Sequence, residues 1–408
     1  MTKKLHKSGV TAAAGVQAAG IHAGFKKHKK DLALLVFPEG ATVAGVFTKN
    51  KVKAAPVQYD QQLLQQQEQF KAILINSGNA NACTGKQGKA DVAETVQLLA
   101  EALKVQPEEI LVSSTGVIGV FMNMDTMRKG IEAIVPEISE NGGAAASKAI
   151  MTTDTVAKEV SFTFDVAGKT ATIGGMIKGS GMIHPNLGTM LGYITTDVAI
   201  SQAALHDMLL KAAENTFNHS TVDGDTSTND TVFVAATGKL GNELIAGPAD
   251  AGYAEVEAAI LSICAKLAKL IVQDGEGATK FVEVIVTGAK TKADAVSIGK
   301  SIATSSLVKT AMFGEDANWG RVITAAGYAE SEYFDADVVD ITFSSENGKI
   351  QVCQDGMGMV FDEGLAKKIL KATEIEILVD LHLGAETVST WTCDFSYDYV
   401  KINADYRS

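Results

Sequence analysis

What most constrains this chain is the irregular order in which its apolar periodicity switches between strand and helix. Val160, Phe162 and Phe164 alternate with less apolar neighbours, Ala167-Gly168-Lys169 interrupts the alternation, and it then resumes, as in an antiparallel hairpin. A helical period stands ahead of it in KQGKADVAETVQLLAEALKV, where Val92, Val96, Leu99 and Leu103 are spaced by four, three and four. Further on, Ser201 can cap a helix carrying Leu205, Met208, Leu209 and Ala212, and another helix carries Val256, Ile260, Ile263, Leu267 and Leu270. Strand-like runs follow in KFVEVIVTGA and near 338–343, 350–353, 375–379 and 388–393, with helical stretches near 293–302 and 363–371. Mixed order with hairpin-like joins predicts an α/β protein of mixed sheets covered by helices, and argues against a regular parallel barrel.

At 408 residues the chain exceeds one ordinary core, so two to three domains or one large layered unit is expected. With 46% hydrophobic and 21% charged residues there is no compositional case for extensive disorder. Lys and Arg total 36 against 48 Asp and Glu, and the net charge of −12 would repel a phosphate backbone, so no nucleic acid partner is expected. Cys83, Cys264, Cys353 and Cys393 lie far apart with no CxxC pair, which fits a reducing cytoplasm and neither a zinc knuckle nor a disulfide framework. The N-terminus begins basic but lacks a Leu-rich stretch of signal-peptide type, and nowhere do eighteen strongly apolar residues run together. A soluble protein with no membrane partner is expected.

Nucleotide and metal motifs are missing: there is no GxGxxG after a strand, no GxxxxGK[ST], no HExxH and no ligand spacing among seven histidines. No metal or cofactor is therefore expected. Asp223, Asp225 and Asp230 in TVDGDTSTND lack the terminal Glu of a calcium loop and read as a hydrogen-bonded turn. INSGNANACTG, with Asn81 and Cys83, reads as a backbone-bonding turn with a packed thiol. In EEILVSSTGVIGV a strand over 110–112 is expected to break into a Ser-Ser-Thr-Gly turn. KGSGMIHPNLGTMLGYITTD reads as a polar loop entering a buried strand over 190–194, with Gly188 and Thr189 at the junction. A hydroxyl held against the preceding glycine carbonyl can attack it and shift the acyl group to oxygen; hydrolysis then leaves an N-terminal threonine whose amine is its own base. On spacing alone the favoured reading is that Thr189 is merely the first residue of a buried strand, and Lys178 and Glu276 by themselves read as solvated surface charges.

The full context of that loop resembles the self-cleavage segment of the ornithine acetyltransferase family, also called glutamate N-acetyltransferase, of arginine biosynthesis. GVQAAGIHAGFK, AGVFTKNKVKAAPV, INSGNANACTG, VSSTGVIG, MTTDT, VDGDTSTNDTV and LVKTAMFGEDANWGRV resemble the family's blocks in order, over nearly the whole chain. The family usually has Ala before the nucleophile, where this chain has Gly188. The resemblance implies that cleavage falls between Gly188 and Thr189 and that Thr189 is the nucleophile. It implies an oxyanion hole at Thr115 and Gly116. Substrate contacts are implied at Thr152, with neighbouring Thr153 left open, and at Lys178, Glu276, Asn403 and Ser408.

Further implications concern the fold and the assembly. The fold implied is two mixed sheets facing each other between helical layers, αββα, similar to the N-terminal nucleophile hydrolases, with a smaller C-terminal α/β part. Residues 1–188 would form an alpha chain and 189–408 a beta chain, of which 189–280 completes the layered domain and 281–408 forms the C-terminal region. The activity implied is acetyl transfer from N-acetylornithine to glutamate, with acetyl-CoA left open as a further donor and co-substrate. Two alpha and two beta chains would assemble as a heterotetramer. The rival enzyme reading is a self-cleaving aminopeptidase or amidase of related fold, in which water replaces glutamate.

Overall fold

The computed structural model describes residues 9–184 and 190–404. In chain order the first part runs β1 (Gln17–Ile21), β2 (Leu32–Phe47), α1 (Ala55–Leu63), β3 (Gln69–Asn79), α2 (Gly85–Leu103) and β4 (Ile110–Val117). It continues with α3 (Met124–Ile134), α4 (Gly143–Ala149), β5 (Lys158–Val166), β6 (Lys169–Lys178), β7 (Leu191–Thr196), α5 (Gln202–Asn215), β8 (Thr231–Ala236) and α6 (Tyr253–Gln273). The second part holds β9 (Phe281–Ala289), α7 (Lys292–Thr304), α8 (Ser306–Phe313), α9 (Trp319–Gly327), β10 (Asp340–Ser345) and β11 (Gly348–Gln354). It ends with β12 (Met357–Gly358), α10 (Glu363–Leu370), β13 (Glu374–Asp380), β14 (Glu386–Cys393) and α11 (Tyr397–Ala404).

The first eight strands form one sheet in the order β4-β3-β2-β8-β7-β6-β5, with β1 paired to β2. Residues of β2 before Pro38 pair with β1 and β3; after Gly40, Ala41 and Thr42 still pair with β3 in a shifted register, while Thr42 to Phe47 pair with β8. This interruption lets the sheet fold over itself. Alternate residues of the two halves then face one another: Leu35 and Ile73 from one, Tyr193 and Phe233 from the other, in one buried cluster. On the outer faces, Leu34 and Val112 pack with Val92 and Leu99 of α2, while Ile194 and Val234 pack with Leu209 of α5 and Ile260 of α6. The result is helix, sheet, sheet, helix, the mixed α/β layering expected. Burying each such aliphatic side chain contributes roughly 1.5–3 kcal/mol.

Local chemistry accounts for the elements. Ala167 and Gly168 both have positive φ, 48° and 81°, which suits the two-residue turn between β5 and β6. The Ser201 hydroxyl accepts a hydrogen bond from the Ala204 N–H and caps α5. In α2 the apolar period is buried at Val92, Val96 and Leu99, and Lys104 ends the helix in the left-handed region.

The remaining strands form a second sheet in the order β12-β11-β10-β13-β9-β14, parallel only between β9 and β13. One of its faces packs on α7, α8, α9 and α10 through Val284, Phe343 and Ile377. The second sheet meets the first part where Trp391 of β14 bridges Ser220, in the segment that follows α5. Among the described residues no helix is long and apolar enough to cross a membrane.

Two expectations need correction. Ser113–Gly116 is not a turn, because β4 continues through it to Val117 in parallel pairing with β3. Cys83 is not packed: it is exposed, while Asn81 does make the expected turn, with its amide donating to the Gly88 carbonyl.

Candidate active site

The extension of β4 depends on glycine. Gly116 has φ of +132°, and a Cβ there would stand 2.3 Å from the Gly78 carbonyl carbon, so only glycine lets β3 and β4 run together to their ends. This carries Thr115 and Gly116 to the edge of a cavity of about 280 Å³. The same cavity is lined by Thr152, Thr153, Lys178, Glu276 and Asn403. Segments far apart in sequence thus bring those residues to one place. Gly188, Thr189 and Ser408 lie outside the described residues, but Met190, which follows Thr189, is in the cavity wall.

Lys178 and Glu276 are not surface charges. They are only 8% and 7% exposed, and each has a distinct local hold. Lys178 ends β6 with its backbone paired to Leu191, and its side chain reaches the cavity. Glu276 sits in the Asp274-Gly275-Glu276-Gly277 turn, its N–H donates to the Ser180 carbonyl at 2.9 Å, and its carboxylate accepts from the Asn403 amide at 2.7 Å. Gly181 packs against that carboxylate, where a Cβ would stand 2.2 Å from an oxygen. A cation and an anion facing one small cavity suit the carboxylate and ammonium of an amino acid.

The described segment ahead of Thr189 is also held, at Met182 and Ile183. Asp223 accepts hydrogen bonds from the N–H groups of Met182 and Ile183, at 2.6 and 2.8 Å, and from the Tyr399 hydroxyl at 3.2 Å. The TVDGDTSTND block is therefore a hydrogen-bonded turn whose leading carboxylate serves this backbone. Across the cavity Asn229 donates to the Ala80 and Ser114 carbonyls, at 2.6 and 2.8 Å, holding the wall beside Thr115.

Sequence reasoning missed a cluster behind the wall. Lys158, at the start of β5, donates to Asp154 at 2.7 Å and to Asp274 at 2.5 Å, and all three side chains are nearly or wholly shielded from solvent. Burial pushes the Asp154 carboxyl up, but Lys178, Lys158 and its hydrogen bonds outweigh this and hold it well below the usual carboxylate range. The i to i+4 spacing of Asp154 and Lys158 was the available signal, yet it is shared by countless exposed pairs.

A model of the ArgJ family matches residues 17–408. An "Arginine biosynthesis bifunctional protein ArgJ" of Caldanaerobacter subterraneus subsp. tengcongensis is 47% identical over 397 residues, covering 97% of each chain. A "Glutamate N-acetyltransferase" of Methanocaldococcus jannaschii is 46% identical, covering 98% of each. A solved arginine biosynthesis bifunctional protein of Bacillus halodurans is 44% identical with a TM-score of 0.51, over 53% of this chain and 100% of its own. The blocks that resemble the ornithine acetyltransferases thus lie within a match that spans nearly the whole sequence, and the chain belongs to the ArgJ family.

Proposed function

We propose that the chain transfers the acetyl group of N2-acetyl-L-ornithine to L-glutamate through an acetyl-threonine ester on Thr189. The observation that carries this is one cavity that holds Thr115, Gly116, Lys178, Glu276 and Asn403 beside the residue that follows Thr189. The Thr189 hydroxyl, its proton taken by the freed α-amine, attacks the amide carbonyl of acetylornithine. Thr115 Oγ and the Gly116 N–H donate to the oxyanion; the intermediate collapses, the C–N bond breaks, and ornithine leaves with the proton. The glutamate amine then attacks the ester, and its lost proton returns to the threonine oxygen as N-acetylglutamate leaves. Lys178 binds a substrate carboxylate and Glu276 a substrate ammonium, with Thr152, Asn403 and Ser408 completing the contacts.

Other parts of the reading concern cleavage, donors and assembly. Cleavage between Gly188 and Thr189 yields chains 1–188 and 189–408, associating as two of each in the cytoplasm. A solved relative's chain, matched over its full length, spans 53% of this one, about the share that residues 189–408 make up. No cofactor is required. Acetyl-CoA is a further donor in this reading, and a relative named bifunctional supports it.

The test is to mix purified protein with acetylornithine, trap the acetyl adduct on the fragment that begins at Thr189 by mass spectrometry, and add glutamate or buffer. Rapid loss of the adduct only with glutamate is expected. Equal decay in buffer would favour the amidase reading, and no adduct at all would end the covalent mechanism.

A further inference from the structure

Lys158 lines no part of the cavity, yet its ammonium is bonded to the carboxylates behind both charged walls. On one side, Asp154 Oδ1 also accepts from the N–H of Gly179, the residue after Lys178, at 2.8 Å, and Asp154 Oδ2 accepts from the Thr152 N–H at 2.9 Å. On the other, Asp274 accepts from the Thr155 N–H at 3.1 Å and from its hydroxyl. Asp274 also opens the turn that carries Glu276, and its carbonyl accepts from the Ser180 hydroxyl at 2.6 Å. The Ser180 carbonyl in turn accepts from the Glu276 N–H. A single buried cation thus closes a chain of bonds from Thr152 and Lys178 to Glu276.

The pairing of buried charges strengthens the case. Lys158 sits between Asp154 and Asp274, Lys178 also acts on Asp154, and Glu276 adds a third buried carboxylate. Lys26, whose ammonium donates to the Met151 carbonyl at 2.8 Å, feels both Asp31 and Asp154. Buried ions are tolerated only when paired and hydrogen-bonded, and removing one partner strands the others. We propose that Lys158 is a positioning residue for the transfer reaction, holding the carboxylate-binding Lys178 and the ammonium-binding Glu276 in register for an amino-acid substrate. This rests on the function proposed above.

Lys158→Met should raise the KM for acetylornithine and for glutamate about tenfold while kcat changes less than about threefold, because the displaced walls bind charge and do not form bonds to the reacting carbon. Cleavage at Gly188, which uses no substrate, should persist and reports that the chain has folded. Asp154→Asn should raise KM too, whereas the double variant Asp154→Asn/Lys158→Met, which removes one charge of each sign, should be less impaired than Lys158→Met alone. Unchanged KM values in Lys158→Met, a fall confined to kcat, or a double variant worse than both single ones would overturn the inference. Loss of cleavage and transfer in all three variants would also overturn it, since the cluster would then hold the fold and not the walls. If the wild-type protein transfers no acetyl, function and inference fall together; if it does and Lys158→Met keeps its KM, the inference alone falls.

Discussion

The Asn403 amide donates to one oxygen of the Glu276 carboxylate at 2.7 Å, which ties the last helix to a wall of the cavity. The same helix is seated on the turn below it, since a Cβ on Gly277 would meet the Tyr399 N–H at 2.5 Å. Helix α11 is otherwise largely exposed, so this bond aims a buried carboxylate and adds little to the core. A hydrogen bond to a charged group is worth about 1.5–3 kcal/mol. Asn403→Ala should therefore raise the KM for acetylornithine about tenfold with little change in Tm, measured by steady-state kinetics and thermal melting. An unaltered KM would show that Glu276 needs no such support.

Thr115 and Gly116 should separate by substitution. Thr115→Val keeps the β-branched shape that suits a strand but removes the hydroxyl, so kcat should fall about a hundredfold while KM holds, as expected when one oxyanion donor is lost. Gly116→Ala meets the Gly78 backbone and a φ that L side chains rarely adopt, so it should lower both kcat and Tm. A Thr115→Val enzyme of normal kcat would remove that hydroxyl from the oxyanion hole.

The fold was legible where periodicity is local and uninterrupted. Helices α2, α5 and α6 could be read from spacing because each buries one regular face, and the β5–β6 hairpin because Val160, Phe162 and Phe164, though only partly buried, alternate against the helix layer. Strand β2 could not, since Pro38-Glu39-Gly40 looks like a stop and only pairing with β1, β3 and β8 reveals one strand serving both halves of the sheet. Ser113–Gly116 has turn composition, and tertiary pairing with β3 overrode it. Lys178 and Glu276 could be named through family resemblance, but their burial follows from contacts with segments up to 127 residues away, as between Glu276 and Asn403. Lys158 has no such block to mark it.

Two buried aspartates should pull the stability profile in opposite directions. Asp60 is fully buried, accepts only the Val112 N–H among the described residues, and burial raises its pKa well above the usual value. Its folded form therefore holds a proton more tightly than the unfolded chain, so its contribution is full below about pH 3.9 and is lost as pH rises toward its folded pKa. Asp154 has the opposite shift, so its contribution is full above the unfolded value of about 3.9 and is lost as pH falls below that toward its lower folded pKa. A tenfold difference in proton affinity between the folded and unfolded chain is worth about 1.4 kcal/mol. Asp60→Asn should raise Tm by a few degrees at pH 7 and much less near pH 4, whereas Asp154→Asn should lower Tm at pH 7 and converge on wild type in acid. Melting curves between about pH 2 and 8 decide it, and a pH-independent offset for Asp60→Asn would mean that the group is ionised in the fold.

Cleavage gives the sharpest test of Thr189, because one oxygen is asked to do two jobs. The purified wild-type protein should run as two pieces of roughly 20 and 23 kDa, in proportion to residues 1–188 and 189–408 of a 42.8 kDa chain. Thr189→Ala offers no nucleophile, so it should stay full length and transfer no acetyl. Thr189→Ser keeps the hydroxyl and should still cleave, while loss of the methyl alters the rate of transfer. A Thr189→Ala protein that remains whole yet transfers acetyl at near-normal rates would break the link between the two reactions. The nucleophile would then have to be another hydroxyl of the wall, of which Thr115, Thr152, Thr153, Ser227 and Thr228 are the nearest at hand. Acetyl mapping by mass spectrometry after acetylornithine treatment would name it.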